Sequence, residues 1–157
     1  MATELMSPTQ SISHQRTSRR IFTALNAFVE KNNLGEMFFA PLDVALPSGT
    51  VVRPDIFFLT LRQSICAAAA KCVVDVPPFV VEIMSDETAV RDTLTKRELY
   101  EKNSVREYWI VDSGSRDIVQ FVLRKKHFVL TELGEGDTVK SSVLAGFESN
   151  VGELIGG

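Results

Sequence analysis

The chain has few of the residues that form cross-links and metal cages. It contains two cysteines, Cys66 and Cys72, and two histidines, His14 and His127, among 157 residues. A secreted disulfide framework or a structural zinc site needs more ligands at closer spacing. Both classes are therefore excluded, and we expect the two thiols to be buried or incidental.

Long apolar runs are also missing. No stretch approaches the roughly 20 apolar residues of a membrane-spanning helix. The N-terminal sequence Met-Ala-Thr-Glu-Leu-Met-Ser-Pro lacks the basic and apolar regions of a signal peptide. We therefore expect no membrane association and a cytoplasmic location. A chain of this length fits one domain, which we place over residues 1–157.

The chain lacks the excess positive charge of proteins that grip nucleic acids electrostatically. Its net charge is −3 and its pI is near 5.4. These values argue against such binding as the main task of the protein. They do not exclude a nuclease, because the local field counts more than the total charge and metal-binding acids add to the negative sum.

Hydrophobic periodicity predicts a first helix near the N-terminus. It would begin at Ser11 or Ser13, end at about Asn32 and have Gly35 near its C′ position. Its apolar residues recur at helical spacing: Ile21, Leu25, Phe28 and Val29.

The rest of the pattern predicts a mixed α/β sheet with few helices. Strands are predicted at residues 37–40, 42–46, 51–59, 79–84, 107–112, 118–124 and 128–131. A second long helix is predicted from residue 90 to about 102, after a loop with capping residues at 85–88. Residues 60–77 are predicted to be a variable connection with at most a short helix at 65–70. The tail from Gly134 shows no regular pattern.

Two of the predicted strands carry a single acid inside an apolar run. Asp55 lies in one, and Glu82 follows it by 27 residues in another. An unpaired buried carboxylate costs several kcal/mol, so each acid needs a partner. If the strands pair, both acids can lie on one face, where their repulsion raises one pKa unless a cation neutralises them. Two carboxylates suit Mg²⁺, which keeps several water ligands.

Each acid alone also has an ordinary explanation. Asp55 follows Pro54 and could be a strand-end or turn acid, and Glu82 could point to solvent from a half-exposed strand. For the two acids together, with apolar neighbours on both sides, the structural and functional explanations both stay open.

The helix after Glu82 offers a cation close to these acids. Asp92 and Lys96 are one turn apart, and Tyr100 lies one turn further along the same face. A surface ion pair between Asp92 and Lys96, worth about 0.3–0.5 kcal/mol, is the ordinary explanation. In the functional alternative, Lys96 orients the attacking water or stabilises the charge that develops on a phosphate.

Other candidates are weaker. Two basic groups could contact a phosphate backbone, although a solvated charged face is more common: Arg16, Arg19 and Arg20, and Arg124, Lys125 and Lys126. His14 lies near a helix start and could approach an anion, but we expect a surface histidine without a special role. The aromatic residues of the predicted strands are expected in the core: Phe57, Phe58, Tyr108 and Trp109.

Several ordered blocks of the chain resemble the Uma family of restriction-endonuclease-like proteins. They are Ser13-His14-Gln15, residues 34–36, 40–44, 52–56 and 81–85 with Thr88, Asp92 with Lys96 and Tyr100, and residues 105–112. The last block, Val-Arg-Glu-Tyr-Trp-Ile-Val-Asp, is the most specific, and the blocks span most of the chain. The family looks like part of the PD-(D/E)xK nuclease superfamily, whose restriction-endonuclease-like fold is a mixed β-sheet flanked by helices.

The resemblance implies a function and a set of site residues. It implies a homodimer that hydrolyses phosphodiesters in DNA by in-line attack of a water bound to Mg²⁺ or Mn²⁺. Asp55 and Glu82 would bind the metal, and Lys96 would replace the usual catalytic lysine, whose position Met84 occupies. Three further residues would support the site: Asp92, Tyr100 and Asp43.

The chain departs from the family pattern at two places. The segment before the first helix is shorter than usual, and Ser85-Asp86-Glu87-Thr88 stands where the family has Ser-Pro-x-Thr. These departures keep two alternatives open. One is a non-catalytic binding or regulatory module, and the other is a structural domain that forms oligomers.

Overall fold

The computed structural model describes residues 10–84 and 89–156, with the backbone alone for residues 89–92. The helices are α1 (Ile12–Lys31), α2 (Leu61–Ala67), α3 (Ala89–Lys102) and α4 (Val151–Ile155). The strands are β1 (Gly35–Phe39), β2 (Val44–Ala45), β3 (Val51–Val52), β4 (Ile56–Thr60), β5 (Phe79–Met84), β6 (Glu107–Asp112), β7 (Asp117–Arg124), β8 (His127–Leu133), β9 (Thr138–Lys140) and β10 (Glu148–Asn150).

Six strands form a central mixed sheet in the order β1-β4-β5-β6-β7-β8. Strands β5 and β6 are parallel, and the other neighbours in this sheet are antiparallel. A parallel pair needs a crossover connection between its strands, and α3 provides it. The mixed sheet with flanking helices confirms the fold class expected from the sequence.

Apolar side chains cover both faces of the sheet. One face packs against α1 and α4, with Ile21 and Trp109 in its core. The other face packs against α3 and the β2–β3 hairpin, with Tyr100 in its core. Strand β5 contributes Val81 to the first core and Val80 to the second, as strand alternation predicts. The position after Val81 therefore faces α3.

Helix α1 begins and ends close to where the sequence predicts, but the residue at its C′ position differs. The Ser11 hydroxyl caps it by accepting a 3.0 Å hydrogen bond from the His14 backbone N–H. At the other end Asn33 takes the left-handed conformation, with φ of 50°. The N–H groups of Asn33 and Leu34 then bond to carbonyls of the last helical turn. The prediction of Gly35 near the C′ position is wrong, because Asn33 takes that role and Gly35 begins β1.

Two strand boundaries also differ from the prediction. The run at residues 51–59 is two strands, since β3 pairs with β2 and β4 pairs with β1 and β5. The break contains Pro54, which has no N–H to donate. The predicted strand at 42–46 is shorter in the structure. Only Val44–Ala45 form β2, because the partner strand β3 is two residues long.

The connection after β4 holds a helix at a different place from the one predicted. Helix α2 starts at a capping box formed by Thr60 and Gln63, four residues earlier than the predicted helix at 65–70. The side chain of Gln63 also donates to the carbonyl of Val76, which ties the loop to the helix.

The tail from Gly134 is ordered by pairing and packing. Strands β9 and β10 pair antiparallel, and Leu154 of α4 joins the core beside α1. The four aromatic residues of the strands are buried as predicted.

The two cysteines are not buried thiols, because Cys66 is exposed and Cys72 is partly exposed. The predicted capping residues at 85–88 lie outside the described residues. No helix in the described part of the chain is long and apolar enough to cross a membrane.

Candidate active site

Asp55 and Glu82 meet at one end of the β4–β5 pair. Ile56 pairs with Val81 in antiparallel register, so the next positions outward are Asp55 and Glu82. Asp55 turns one carboxylate oxygen to β5, where Oδ2 accepts a 2.8 Å hydrogen bond from the Ile83 backbone N–H. Its side chain is 12% exposed, so it lies largely buried at this end of the sheet.

Glu82 lies inside the protein on the face that packs against α3. It is 5% exposed, which contradicts the alternative that it points to solvent. Its Oε1 accepts a 2.8 Å hydrogen bond from the Tyr100 hydroxyl, and its Oε2 lies 3.2 Å from Lys96 Nζ. Burial raises the pKa of Glu82 to about 7; the positive charge of Lys96 opposes this shift and the negative charge of Asp55 adds to it.

Helix α3 brings Lys96 and Tyr100 to the same carboxylate. They are four residues apart and so lie on one face of the helix. Burial and the charge of Glu82 raise the pKa of Tyr100, so its hydroxyl keeps the proton that it donates. The side chain of Asp92 lies outside the described residues. Lys96 makes its ion pair with a buried glutamate, so it is more than a member of a surface ion pair.

His14 is a site residue that the sequence reasoning missed. It is 5% exposed, and its Nε2 lies 3.4 Å from Oδ2 of Asp55. Its hydrogen bond to Asp55 raises the pKa of His14, although burial opposes this. The expectation of a surface histidine is wrong. A signal existed, because the buried stripe of α1 extends back from Ile21 through Thr17 to His14 at helical spacing.

The histidine also acts on the aspartate. Burial alone would raise the pKa of Asp55, but the hydrogen bonds from His14 and from the Ile83 backbone N–H hold it below the ordinary value. Asp55 is therefore ionised at neutral pH, whereas Glu82 is poised near its pKa. Two neighbouring carboxylates with pKa values pushed apart are typical of a functional site.

Comparison with known proteins identifies the family. The model of the Uma2 family, described as "Putative restriction endonuclease", matches residues 2–152. The chain belongs to this family. A search of curated proteins found no match.

A solved structure supports the fold of this Uma2 chain. It is the crystal structure of a protein from Anabaena variabilis described as a "putative nuclease belonging to DUF820". The TM-score is 0.80 at 13% sequence identity, and the match covers 94% of this chain and 83% of that one. At this identity the likeness establishes a shared fold.

The carboxylates suit a hard cation held by few protein ligands. Among the described residues, no group of three or more His, Cys, Asp or Glu side chains is arranged to hold a metal ion. The Uma2 chain thus offers two carboxylates, which is enough for Mg²⁺ or Mn²⁺ when water and a phosphate complete the coordination. Of their four oxygens, Oδ1 of Asp55 is the least engaged, with a 3.4 Å contact to Gln10.

Three other residues complete the description of the site. Asp43 pairs with Arg53 at the surface, and its described contacts do not join it to the carboxylates. Met84, the position at which the sequence resemblance implies a lysine, is partly exposed at the end of β5. Tyr108 packs its ring 4.9 Å from that of Tyr100. Its buried hydroxyl has no hydrogen-bond partner among the described residues.

Proposed function

We propose that this protein is a metal-dependent endonuclease that hydrolyses phosphodiester bonds in DNA. The observation that carries the proposal is the cluster of Asp55, Glu82 and Lys96 at one end of β4 and β5. Membership of a family described as "Putative restriction endonuclease" supports DNA as the substrate class. The cluster supplies two acids and a cation, which metal-assisted hydrolysis of a phosphodiester requires.

Each residue of the cluster has a distinct role in this proposal. Asp55 and Glu82 would hold Mg²⁺ or Mn²⁺, which when bound polarises the scissile phosphate and lowers the pKa of a water. Lys96 opposes the rise in the pKa of Glu82 and so favours its ionised form, and it would place positive charge where the phosphate gains negative charge. Tyr100 and His14 orient the two carboxylates through their hydrogen bonds. The water oxygen forms a bond to phosphorus as the P–O bond opposite to it breaks. The attacking water gives up a proton to solvent, and the departing oxygen takes one up.

Calorimetric titration with Mn²⁺ tests the metal site without a guess about substrate. The wild type is compared with Asp55→Asn, Glu82→Gln and Glu148→Gln. Glu148 is an exposed acid on β10, so Glu148→Gln is a control that loses one negative charge away from the site. Binding is expected in the wild type and Glu148→Gln and not in the other two. Cleavage of supercoiled DNA should follow the same order. Unchanged Mn²⁺ affinity in Glu82→Gln would show that Glu82 is not a metal ligand.

One observation favours a second candidate function, a nuclease-like module that binds without cleaving. All four carboxylate oxygens already have a donor inside the protein, and Met84 replaces the usual lysine. A wild type that binds DNA but shows no Asp55-dependent cleavage at any Mn²⁺ concentration would establish this alternative.

Oligomeric state and location complete the proposal. A homodimer is consistent with the two edge strands of the central sheet, β1 and β8, where Phe39 and Val129 are exposed. We also place the protein in the cytoplasm. Light scattering and cell fractionation test these two statements, and a monomer at all concentrations would contradict the first.

A further inference from the structure

A basic groove lies on the α1 side of the same sheet end as the carboxylates. Its volume is ≈ 600 Å³, and its lining includes Arg16, Arg19, Arg20 and Arg116. No aspartate or glutamate is among the described residues that line it. The charge of Arg116 is paired with Glu135, and the remaining arginines make the groove a positive region on a protein whose net charge is −3. Local positive charge of this kind attracts anions.

Two contacts place this groove beside the candidate active site. Ser113, one of its lining residues, contacts the carbonyl of Met84, two residues beyond Glu82 on β5. At its other side the groove is lined by Ser13 and Arg16, which flank His14 on α1. His14 in turn reaches Asp55 at 3.4 Å. An anionic chain in the groove would thus run past the end of the sheet where the carboxylates lie.

The arginines of the groove are not equivalent. Arg116 is held in place by Glu135 at 3.0 Å and by the carbonyls of Gly152 and Gly156, so it serves the structure. Arg16 and Arg19 are exposed and make no side-chain hydrogen bond or ion pair with any described residue. They are three residues apart, on one face of α1. Their planar guanidinium groups suit the oxygens of phosphates.

We propose that Arg16 and Arg19 bind the phosphate backbone of DNA along this groove and so present it to the carboxylates. The inference rests on the proposed function, since it names the surface on which that substrate lies. The sequence offers a rival surface, Lys125 and Lys126 in the β7–β8 turn. That turn is at the far end of the sheet, since Asp112 pairs with Asp117 at one end of β7 and the turn follows Arg124 at the other. At about 3.3 Å per residue, β7 separates the two ends by roughly 20 Å.

The test compares two variants with the same change of net charge. Arg16→Gln/Arg19→Gln and Lys125→Gln/Lys126→Gln each lose two positive charges from exposed positions. Fluorescence anisotropy measures the binding of a labelled DNA duplex in EDTA across a series of salt concentrations, so cleavage does not contribute. Thermal unfolding confirms that both variants are folded; glutamine is as good a helix former as arginine.

The arginine variant is expected to bind the duplex roughly tenfold or more weakly near 0.1 M salt, with the slope of log affinity against log salt reduced by about 2. The lysine variant should match the wild type. Equal losses of DNA affinity in both variants, or a loss in the lysine variant alone, would contradict the proposal that the groove binds DNA. A wild type that does not bind the duplex would contradict it as well. Arginine-dependent binding without Mn²⁺-dependent cleavage would keep the groove and overturn the proposed catalysis. If the arginine variant cleaves DNA as fast as the wild type, the proposed catalysis stands and the proposal that the groove binds DNA is wrong.

Discussion

Two buried glutamates on adjacent parallel strands have opposite surroundings. Glu82 on β5 is 5% exposed and has two partners, a lysine ammonium and a tyrosine hydroxyl. Glu107 on β6 is fully buried and accepts from five donors. These are the side chains of Trp109, Gln120 and Ser141 and the backbone N–H groups of Ser142 and Val143, at 2.7–2.9 Å.

The difference separates a structural acid from a candidate functional one. Five hydrogen bonds replace the water that Glu107 loses on burial, so its carboxylate is satisfied without a cation among its described contacts. Glu82 has fewer donors and a like charge beside it, and its pKa rises to about 7. A buried carboxylate with only two partners can be stabilised further by a ligand, whereas one with five donors has little to gain.

The largest effect expected from this comparison is on stability. Glu107→Gln keeps the shape of the side chain but turns an NH₂ group toward donors that need an acceptor. The free energy of unfolding should fall by about 3–5 kcal/mol. Glu82→Gln, measured by the same urea titration at pH 7, should change it by less than about 1 kcal/mol, because Lys96 is 32% exposed and can turn to water. Equal decreases in the free energy of unfolding for the two substitutions would contradict the distinction between a structural and a functional glutamate.

The pH dependence of stability should sharpen the comparison. The pKa of Glu82 is raised from an ordinary 4.5 to about 7 in the folded protein, so the folded state holds this proton more tightly than the unfolded state. The free energy of unfolding should therefore fall as pH rises from about 4.5 to 7, by on the order of 3 kcal/mol from this group.

Urea titrations at several pH values measure this loss. His14 acts in the same direction, because its pKa is also raised, so its contribution is lost as pH rises above its ordinary 6.5. Asp55 acts below this range, since its pKa is lowered from 3.8. Glu82→Gln should flatten the profile between pH 4.5 and 7. A variant with the slope of the wild type would show that Glu82 is not the group responsible.

Two tyrosines offer a matched pair around Glu82. Tyr100→Phe removes one of the two donors to the carboxylate and should cost about 1–2 kcal/mol, with a weaker affinity for Mn²⁺. Tyr108→Phe removes a buried hydroxyl that has no partner among the described residues, so it should be neutral or stabilise the protein by up to about 1 kcal/mol. Thermal unfolding of both variants measures the difference, and a larger cost at Tyr108 would contradict it.

The sequence predicted the parts of the fold that repeat a local pattern. Alternation in β5 and the apolar stripe of α1 are visible residue by residue, so both elements and the shared end of Asp55 and Glu82 could be foreseen. Lys96 followed from helical spacing. His14 was missed because the stripe was traced only from Ile21, although a polar residue on a buried stripe is the usual mark of a partner nearby.

The rest depends on contacts between residues far apart in sequence. The tail after Gly134 has little periodicity of its own, and it is held in part by Ser142 and Val143, whose N–H groups donate to Glu107 over 30 residues earlier. The break at Pro54 depends on which strands pair, which no local propensity decides. Nor could the surroundings of Glu82 and Glu107 be distinguished, because each is one acid in an apolar strand.

The smallest expected effect tests whether Glu107 is as well supported as its five donors indicate. Ser141→Ala removes one of them and also frees the Leu144 N–H, which donates to the serine hydroxyl. The cost should be about 1 kcal/mol, since four donors to the carboxylate remain and the removed bond is worth that much on average. Urea titration measures it, and Mn²⁺ affinity is the control, which should not change because Glu107 faces away from the α3 side. If the free energy of unfolding falls as much as in Glu107→Gln, Ser141 supplies most of the stabilisation of Glu107. A loss of Mn²⁺ affinity would show that the surroundings of Glu107 influence Glu82, although the two side chains face opposite sides of the sheet.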